Sequence, residues 1–460
     1  MTTTSPAAQH ELALEVVKRL REAGFQALWA GGCVRDRLLG RTPNDYDVAT
    51  SATPPEIRAL FGRRRTLEIG AAFGVVAVLG HHRAGMVEVS TFRRDTEYSD
   101  GRHPDAVVFS TPEDDAQRRD FTINGLFFDP LEERIIDYVG GVDDLQRGLV
   151  RAIGDARARI AEDKLRMIRA VRIAAGFGFA LDEATQAAIE EMADSIVVVS
   201  PERIAQEMRK ILTQQHRTES LELLHRTRLF AVLMPELTVL LPATGASPSA
   251  GGRGAEDLWG HTARVLEALV EPNFPLALAA LVHALAEPSG TVESTGGERA
   301  QNVAVATAAA ICARWRLSNK EHDRVTWLVG HHGRLAHAAT QPWSALQPLL
   351  IAPGTAELVA LWEAEGVARG TDAAKKIIAD VEFCRAKLAL APEALNPQPL
   401  ISGDDLVALG VEKSPIYRRL LQRVRAAQLD GAVRSRDEAL AMVPRLLAED
   451  QNPDSNPDAE

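Results

Sequence analysis

The apolar pattern changes period part-way along the chain, and this change limits the fold more than any single motif does. Short apolar runs, FQALWA (25–30), DYDVAT (45–50), GVVAVLG (74–80) and MVEVSTF (86–92), read as strands. Between them lie helical stretches such as ELALEVVKRLREAG (11–24), with Leu12, Val16 and Leu20 on one side and Gly24 as a stop. The strand signal ends near RIIDYV (134–139), and from about Asp155 onward the period is helical. An α+β domain followed by an all-helical remainder is therefore expected. At 460 residues the chain exceeds one ordinary core. Residues 1 to about 10 read as a frayed end, 241–256 as a Gly/Ala/Ser/Pro linker and 449–460 as a disordered acidic tail.

Three scattered cysteines, Cys33, Cys312 and Cys384, form neither a disulfide frame nor a zinc motif. With no secretory leader and no apolar run of membrane-spanning length, they point to reduced thiols in a cytoplasm. The net charge of −11 is the wrong sign for a nucleic-acid binder as a whole. Between Arg147 and Arg172, however, eight basic residues face only Asp155, Glu162 and Asp163, which makes either a solvated helix face or a locally basic groove.

The stretch GGCVRDRLLGRTPNDYDVATSA (31–52) holds the first candidate site. Residues i and i+2 of a strand share a face, so Asp45 and Asp47 converge and Tyr46 faces away. Two like charges so placed repel unless a cation joins them, and Mg²⁺ is the natural partner for oxygen ligands beside phosphate. Glu88, on a neighbouring candidate strand, is a third carboxylate for a two-metal phosphoryl-transfer site. Alone, Asp-x-Asp also suits a surface turn. The strand, the Gly31-Gly32 turn, a helix from near Val34 and Arg35 in its first turn strengthen the reading to a triphosphate cradle.

A second constellation lies in EDKLRMIRAVR (162–172). In one continuous helix, Asp163 and Arg166 would share a face and Arg169 and Arg172 would continue the row. A carboxylate accepts and a guanidinium donates hydrogen bonds. Cytosine and adenine each offer an amino donor beside a ring-nitrogen acceptor, whereas uracil and guanine present the reverse. A plain i,i+3 ion pair on a solvated helix would use the same residues, but a fixed acceptor–donor pair would select C and A.

Together with LEIGAAFGVVAV (67–78), VEVSTFRRDTEYSDGRHPDAV (87–107), RRDFTINGLFFDP (118–130) and the stretch from Asp137 to Ala175, these motifs resemble the class II tRNA nucleotidyltransferases. This family, within the polymerase-β-like superfamily, includes CCA-adding enzymes and bacterial poly(A) polymerases. The resemblance implies a nucleotidyltransferase head (11–153) with a mixed β-sheet and helices, and a helical nucleotide-reading and RNA-binding neck (154–240). An all-α body and tail (257–448) would follow. It implies that Asp45, Asp47 and Glu88 are catalytic, with Mg²⁺ on Asp45 and Asp47. Gly31, Gly32, Arg35, Arg119, Asp163, Arg166, Arg169 and Arg172 would bind the nucleotide. The implied substrates are CTP, ATP and the tRNA 3′ end, with A-only addition and polyadenylation as alternatives. The segment from Asp95 to Val107 resembles the family's flexible loop.

WGHTARVLEAL and VHALAEP resemble an HD-type region with His261 and His283 in place, but Ala284 stands where the carboxylate of the His-Asp pair belongs. These histidines are therefore expected to be core remnants without hydrolase activity. Rival classes, an HD-type metal phosphohydrolase or a non-catalytic RNA-binding protein, would need an intact His-Asp pair or a missing Asp45 or Asp47.

Overall fold

The computed structural model describes residues 5–70, 74–80, 84–95, 107–241, 258–286 and 295–450. It divides into two compact units, 1–238 and 239–460.

The first unit runs α1 (Pro6–Glu22), β1 (Ala27–Ala30), α2 (Gly32–Leu38), β2 (Asp47–Thr50), α3 (Pro54–Phe61), β3 (Thr66–Gly70), β4 (Val75–Leu79) and β5 (Met86–Thr91). It continues with β6 (Arg93–Asp95), β7 (Val107–Phe109), α4 (Pro112–Gln117), β8 (Phe127–Asp129), β9 (Arg134–Ile136), α5 (Gly141–Gln146) and β10 (Leu149–Val150). Helices then dominate: α6 (Ala156–Glu162), α7 (Arg166–Phe177), the short β11 (Ala180–Leu181), α8 (Glu183–Met192), α9 (Pro201–Thr213), α10 (Arg217–Arg226) and α11 (Leu229–Leu233).

Seven strands form one mixed sheet in the order β3-β4-β5-β2-β1-β8-β9. All its neighbours are antiparallel except β2 and β5, which run parallel with Asp47 opposite Glu88. Both faces of the sheet are covered, so the central strands are apolar on both sides. Ala27, Trp29, Val48, Val76, Val87 and Val89 pack with Leu12, Val16 and Leu20 of α1. The alternate residues Leu28, Ala30, Ala49 and Phe127 pack with Phe92 and Ala116.

Several expectations need correction. The N-terminal helix starts at Pro6, not near residue 11, because Pro6 suits the first turn and Gln9 is buried, donating to the Met86 carbonyl at 3.4 Å. Strand β2 begins at Asp47, so Asp45 and Tyr46 precede it. Its partner β1 ends opposite, at Ala30, where the chain turns off through Gly31. Helix α2 begins at Gly32, two residues before Val34. Pro201 does open α9, but the Ser200 side chain makes no capping bond.

The largest difference lies at Asp163. The stretch 155–178 is not one helix: α6 ends at Glu162, and Asp163 is extended with φ −147°. Its carboxylate accepts the Leu165 backbone N–H at 3.1 Å, a local bond that competes with continuing the helix. The basic run also splits. Arg151 pairs with Asp144 and Asp182, and Arg157 with Glu191, while Arg166, Arg169 and Arg172 follow one side of α7. Strands β6 and β7 pair Asp95 with Val107, but the expected loop between them, 96–106, lies outside the described residues. So do 242–257, covering most of the expected linker, and 451–460 of the expected tail.

The second unit contains α12 (Leu258–Ala268), α13 (Phe274–Val282), α14 (Thr295–Arg314), α15 (Asn319–His331), α16 (Trp343–Leu350), α17 (Thr355–Arg369), α18 (Thr371–Leu388), α19 (Pro392–Leu395), α20 (Gly403–Ala408), α21 (Ile416–Leu429) and α22 (Arg436–Asp450), with no strand among its described residues. No single described helix is long and apolar enough to cross a membrane. The apolar pair α16 and α17, bent by 109°, buries Leu346, Leu349, Leu358 and Leu361.

Helix α5 shows how tightly the sheet's surroundings are packed. Asp144 accepts the Thr122 hydroxyl at 2.7 Å, and a Cβ on Gly141 would fall within contact distance of the Thr122 carbonyl. Gly141→Ala is expected to cost about 1–3 kcal/mol of stability through overpacking. Urea denaturation with an unchanged midpoint would show that α5 is free to move.

Candidate nucleotide site

One end of the sheet gathers the candidate residues. The cleft there measures about 510 Å³, within the roughly 300–1,000 Å³ usual for small-molecule sites. Gly31, Gly32, Arg35, Asp45, Asp47, Arg119, Asp163, Arg166, Arg169 and Arg172 all line it. Glu88 does not; it lies beside the cleft, opposite Asp47 in the parallel register. Arg118, Asp120, Asn124, Ile173 and Arg203 also line the cleft. Sequence reasoning had not singled out these five. The first three lie inside the RRDFTIN motif, where a site signal was available. Arg203 lies forty residues from its partner Asp163, and nothing local in the sequence indicates that pairing.

The geometry depends on the turn that leaves the sheet at this end. Strand β1 leaves through Gly31, whose φ of +75° and ψ of −127° suit glycine alone, and whose N–H donates to Leu126 at 3.0 Å. A Cβ at Gly31 would approach Arg119 Nη1 to 2.9 Å, whereas one at Gly32 would meet its nearest neighbour at an ordinary 3.6 Å. Of the two glycines, Gly31 is the one that this backbone requires.

Asp45 and Asp47 line the cleft, while Tyr46 packs away from them, 4.9 Å from Trp29 between ring centroids. Desolvation by the surrounding protein, then Asp45, then Glu88 push the Asp47 carboxyl up to about 6, with Arg119 opposing. A divalent cation would relieve this crowding, so the residues present fit one.

Seven arginines and four aspartates line the cleft, a positive balance that suits a polyphosphate. Most of these side chains are anchored. Arg35 donates to Asn124 Oδ1 at 2.6 Å and to Asp36 at 2.7 Å, with its guanidinium 4.5 Å from the Phe177 ring centroid. Arg119 donates to Asp115 at 3.0 Å. Arg169 donates to Asp120 at 2.5 and 2.9 Å. Burial alone would raise the Asp120 carboxyl, but Arg169, helped by the Asn124 side chain, holds it well below the usual range. Arg172 donates to Glu207 at 2.5 Å.

Asp163 and Arg166 meet in the cleft but do not pair with each other. Arg203 donates to both Asp163 oxygens, at 2.7 and 3.1 Å. Arg166 donates to Glu162 at 2.5 Å and to the carbonyls of Arg159 at 2.7 Å and Arg118 at 3.2 Å. The break in the helix separates the acceptor from the donor, and each is fixed by its own partners.

Parts of the chain are similar to known proteins. Residues 27–151 match the poly A polymerase head domain, and 178–241 match the probable RNA and SrmB-binding site of polymerase A. The chain is 42% identical over 226 residues to the CCA-adding enzyme of Geobacillus kaustophilus, covering 48% of this chain and 54% of that one. These parts of the chain thus resemble the poly A polymerase and CCA-adding enzyme family. The chain is 37% identical over 262 residues to the CCA-adding enzyme of Lactiplantibacillus plantarum, covering 56% and 63% of the two chains. It thus spans little more than half the length of the curated relatives it matches. The fold is similar over nearly the whole length to the Bacillus stearothermophilus CCA-adding enzyme in complex with CTP. The TM-score is 0.70 and the identity 26%, with 96% of this chain and 98% of the other covered. The Thermotoga maritima CCA-adding enzyme complexed with tRNA shares the fold at TM-score 0.57 and 19% identity.

Because Gly31 carries a glycine-only backbone against Arg119, Gly31→Ala should destabilise the protein by about 1–3 kcal/mol. A chemical-denaturation midpoint equal to wild type would remove Gly31 as the pivot of the cleft.

Proposed function

We propose that the chain is a template-independent RNA nucleotidyltransferase that adds CMP and AMP, from CTP and ATP, to the tRNA 3′ end. The carrying observation is one cleft that joins the Asp45/Asp47 pair, an arginine-rich wall and the separately anchored Asp163 and Arg166. The head (11–153) would hold the reacting groups and the neck (154–240) the nucleotide-reading surface. The buried free thiols Cys33, Cys312 and Cys384 support a reducing, cytoplasmic setting.

In this reading Arg35 and Arg119 grip the triphosphate tail common to all nucleotides, and Arg169 and Arg172 complete the positive wall. Asp45 and Asp47, with Glu88 beside them, would hold Mg²⁺, which supplies charge compensation at the α-phosphate and activation of the attacking 3′-hydroxyl. The hydroxyl oxygen bonds to the α-phosphorus of CTP or ATP as pyrophosphate leaves. The chain's own contribution is placement and compensation of charge.

Base choice follows from the anchoring. Three bonds, from Arg203 and the Leu165 N–H, use three of the roughly four acceptor positions of Asp163, leaving one for an exocyclic amino group. Three of the five Arg166 N–H donors are used, leaving donors for the ring nitrogen beside that amino group. Cytosine and adenine satisfy both residues; uracil and guanine oppose both. Rigid anchoring matters because a mobile pair would rotate to suit any base.

Incubating the protein with tRNAs ending before CCA, after C and after CC, with each triphosphate separately, tests the reaction. Ordered C, C and A addition is expected; A addition alone, or long A tails, would move the assignment to the A-adding or poly(A) branch. Asp47→Ala should abolish addition while leaving the far-UV circular dichroism unchanged, and wild-type turnover at millimolar Mg²⁺ would refute the metal assignment. Arg35→Ala should weaken use of all four triphosphates alike. Asp163→Ala should lower CTP and ATP use relative to UTP and GTP by about 5- to 150-fold, the equivalent of 1–3 kcal/mol per lost contact. Arg203→Ala should follow Asp163→Ala in direction. One common factor for all four triphosphates in single-turnover extension would make Asp163 structural.

A further inference from the structure

The second unit holds a cleft that shares no residue with the nucleotide site. It lies between α16 and α21 and measures about 1040 Å³, the upper end of what small-molecule sites usually offer. Much of its wall is aliphatic: Pro348 from α16, Pro399, Leu400 and Ile401 from the segment before α20, and Leu421 and Leu429 from α21.

One guanidinium enters this wall without a counter-charge. Arg425 of α21 lines the cleft and is half-buried. It donates to Gln428 Oε1 at 2.9 Å and to Asn396 Oδ1 at 2.8 Å, both neutral amides. Those amides are held in their turn. Asn396 Oδ1 also accepts from the buried Gln347 at 2.9 Å, and the Gln428 amide donates to the Gln398 carbonyl at 2.7 Å. Two of the five Arg425 N–H donors are used, so three remain on a guanidinium fixed from two sides. No acid among the described residues pairs with it. Burial disfavours its charged form, and no neighbouring carboxylate offsets that.

The other charged groups of the cleft do not supply the missing anion. Asp405 is the one acid among the lining residues, and it is committed elsewhere: it accepts the Ser402 backbone N–H at 2.7 Å and pairs with Arg436. Arg418, about two helical turns before Arg425, also lines the cleft. It is exposed and makes no ion pair among the described residues. The cleft therefore has two arginines and one carboxylate that is already paired.

We propose that this cleft binds an apolar monocarboxylate, with its head group on Arg425 and its hydrocarbon body along Leu400, Ile401, Leu421 and Leu429. A carboxylate fits the fork of a guanidinium with two parallel hydrogen bonds. One negative charge balances the one half-buried positive charge, so the filled cleft is neutral where its wall is apolar. A phosphate monoester would bring in a second charge. The lining residues include no aromatic ring on which a base could stack, whereas they cover a hydrocarbon chain well. Arg418, at the exposed side, draws an anion towards the opening.

The test uses the full chain and sodium decanoate as the probe, titrated by calorimetry. Saturable binding of about one decanoate per chain is expected, with decan-1-ol binding at least tenfold more weakly. Arg425→Gln should weaken decanoate binding by about 10- to 150-fold with far-UV circular dichroism unchanged. Gln422→Glu, which places a negative charge on the exposed lining of the cleft, should weaken it in the same direction. Asp47→Ala should leave it unchanged. Absence of saturable binding up to millimolar decanoate would overturn the proposal. Equal affinity for decan-1-ol would show that Arg425 takes no part, and wild-type affinity in both cleft variants would place the ligand elsewhere; either result overturns it. Full displacement of decanoate by tRNA would make the cleft an RNA surface and overturn it as well. Should Arg425→Gln fail to fold, the decanoate–decanol difference and Gln422→Glu decide.

Discussion

The parallel pairing of β2 with β5 is the constraint on which the first unit depends. It sets Asp47 opposite Glu88 and leaves carboxylates crowded at one end of a sheet that is otherwise apolar on both faces. A one-residue slip would turn Asp47 into the core beside Trp29 and bring Val48 to the cleft, so burial on both faces holds the register. Burial first, and then Asp45 and Glu88, raise the Asp47 carboxyl. The same sheet end receives the Gly31 turn and the 118–124 segment, so the repulsive carboxylates and the arginine wall are brought together by backbone pairing.

The arginines illustrate how a positive cleft is built without disorder. Arg35, Arg119, Arg166, Arg169, Arg172 and Arg203 are each tied to an acid or an amide carbonyl, and the acids come from separate elements. Asp120 is the most deeply committed of them, bonded to Arg169 and Asn124 together, while Asn124 also accepts from Arg35. This chain of bonds connects the Gly31–Arg35 turn with α7. Loss of either charge in the Asp120–Arg169 pair would leave its partner without compensation, which is costlier than replacing the pair as a whole.

The second unit solves a different problem. Its helices bury an ionised glutamate, and two imidazoles and a guanidinium converge on that one carboxylate. His261 and His283 were read from the sequence as core remnants, and His283 is wholly buried. The decisive neighbour is Glu365, one of many glutamates in a helical stretch, and nothing in its local pattern distinguishes it.

The sequence by itself determined much of the order of elements, because the apolar period is a local property: strands were read at 25–30, 45–50, 74–80 and 86–92, then helices, and the structure has strands within each of these runs. It also pointed to many of the residues that line one cleft, since Gly31, Arg35, Asp45 and Asp47 lie close together in the chain. Only the tertiary structure decided what depends on distant partners. The helix assumed through Asp163 is broken where its carboxylate accepts the Leu165 N–H and pairs with Arg203, a residue forty positions away, so Asp163 and Arg166 line one cleft without sharing a face of one helix. Arg118, Asp120 and Asn124 were visible as residues, yet their roles required knowing that Arg166, Arg169 and Arg35 come to meet them. Helical period reports which side of a helix is buried, but not which charged group waits on the facing element, because that choice is made by packing between segments far apart in the chain.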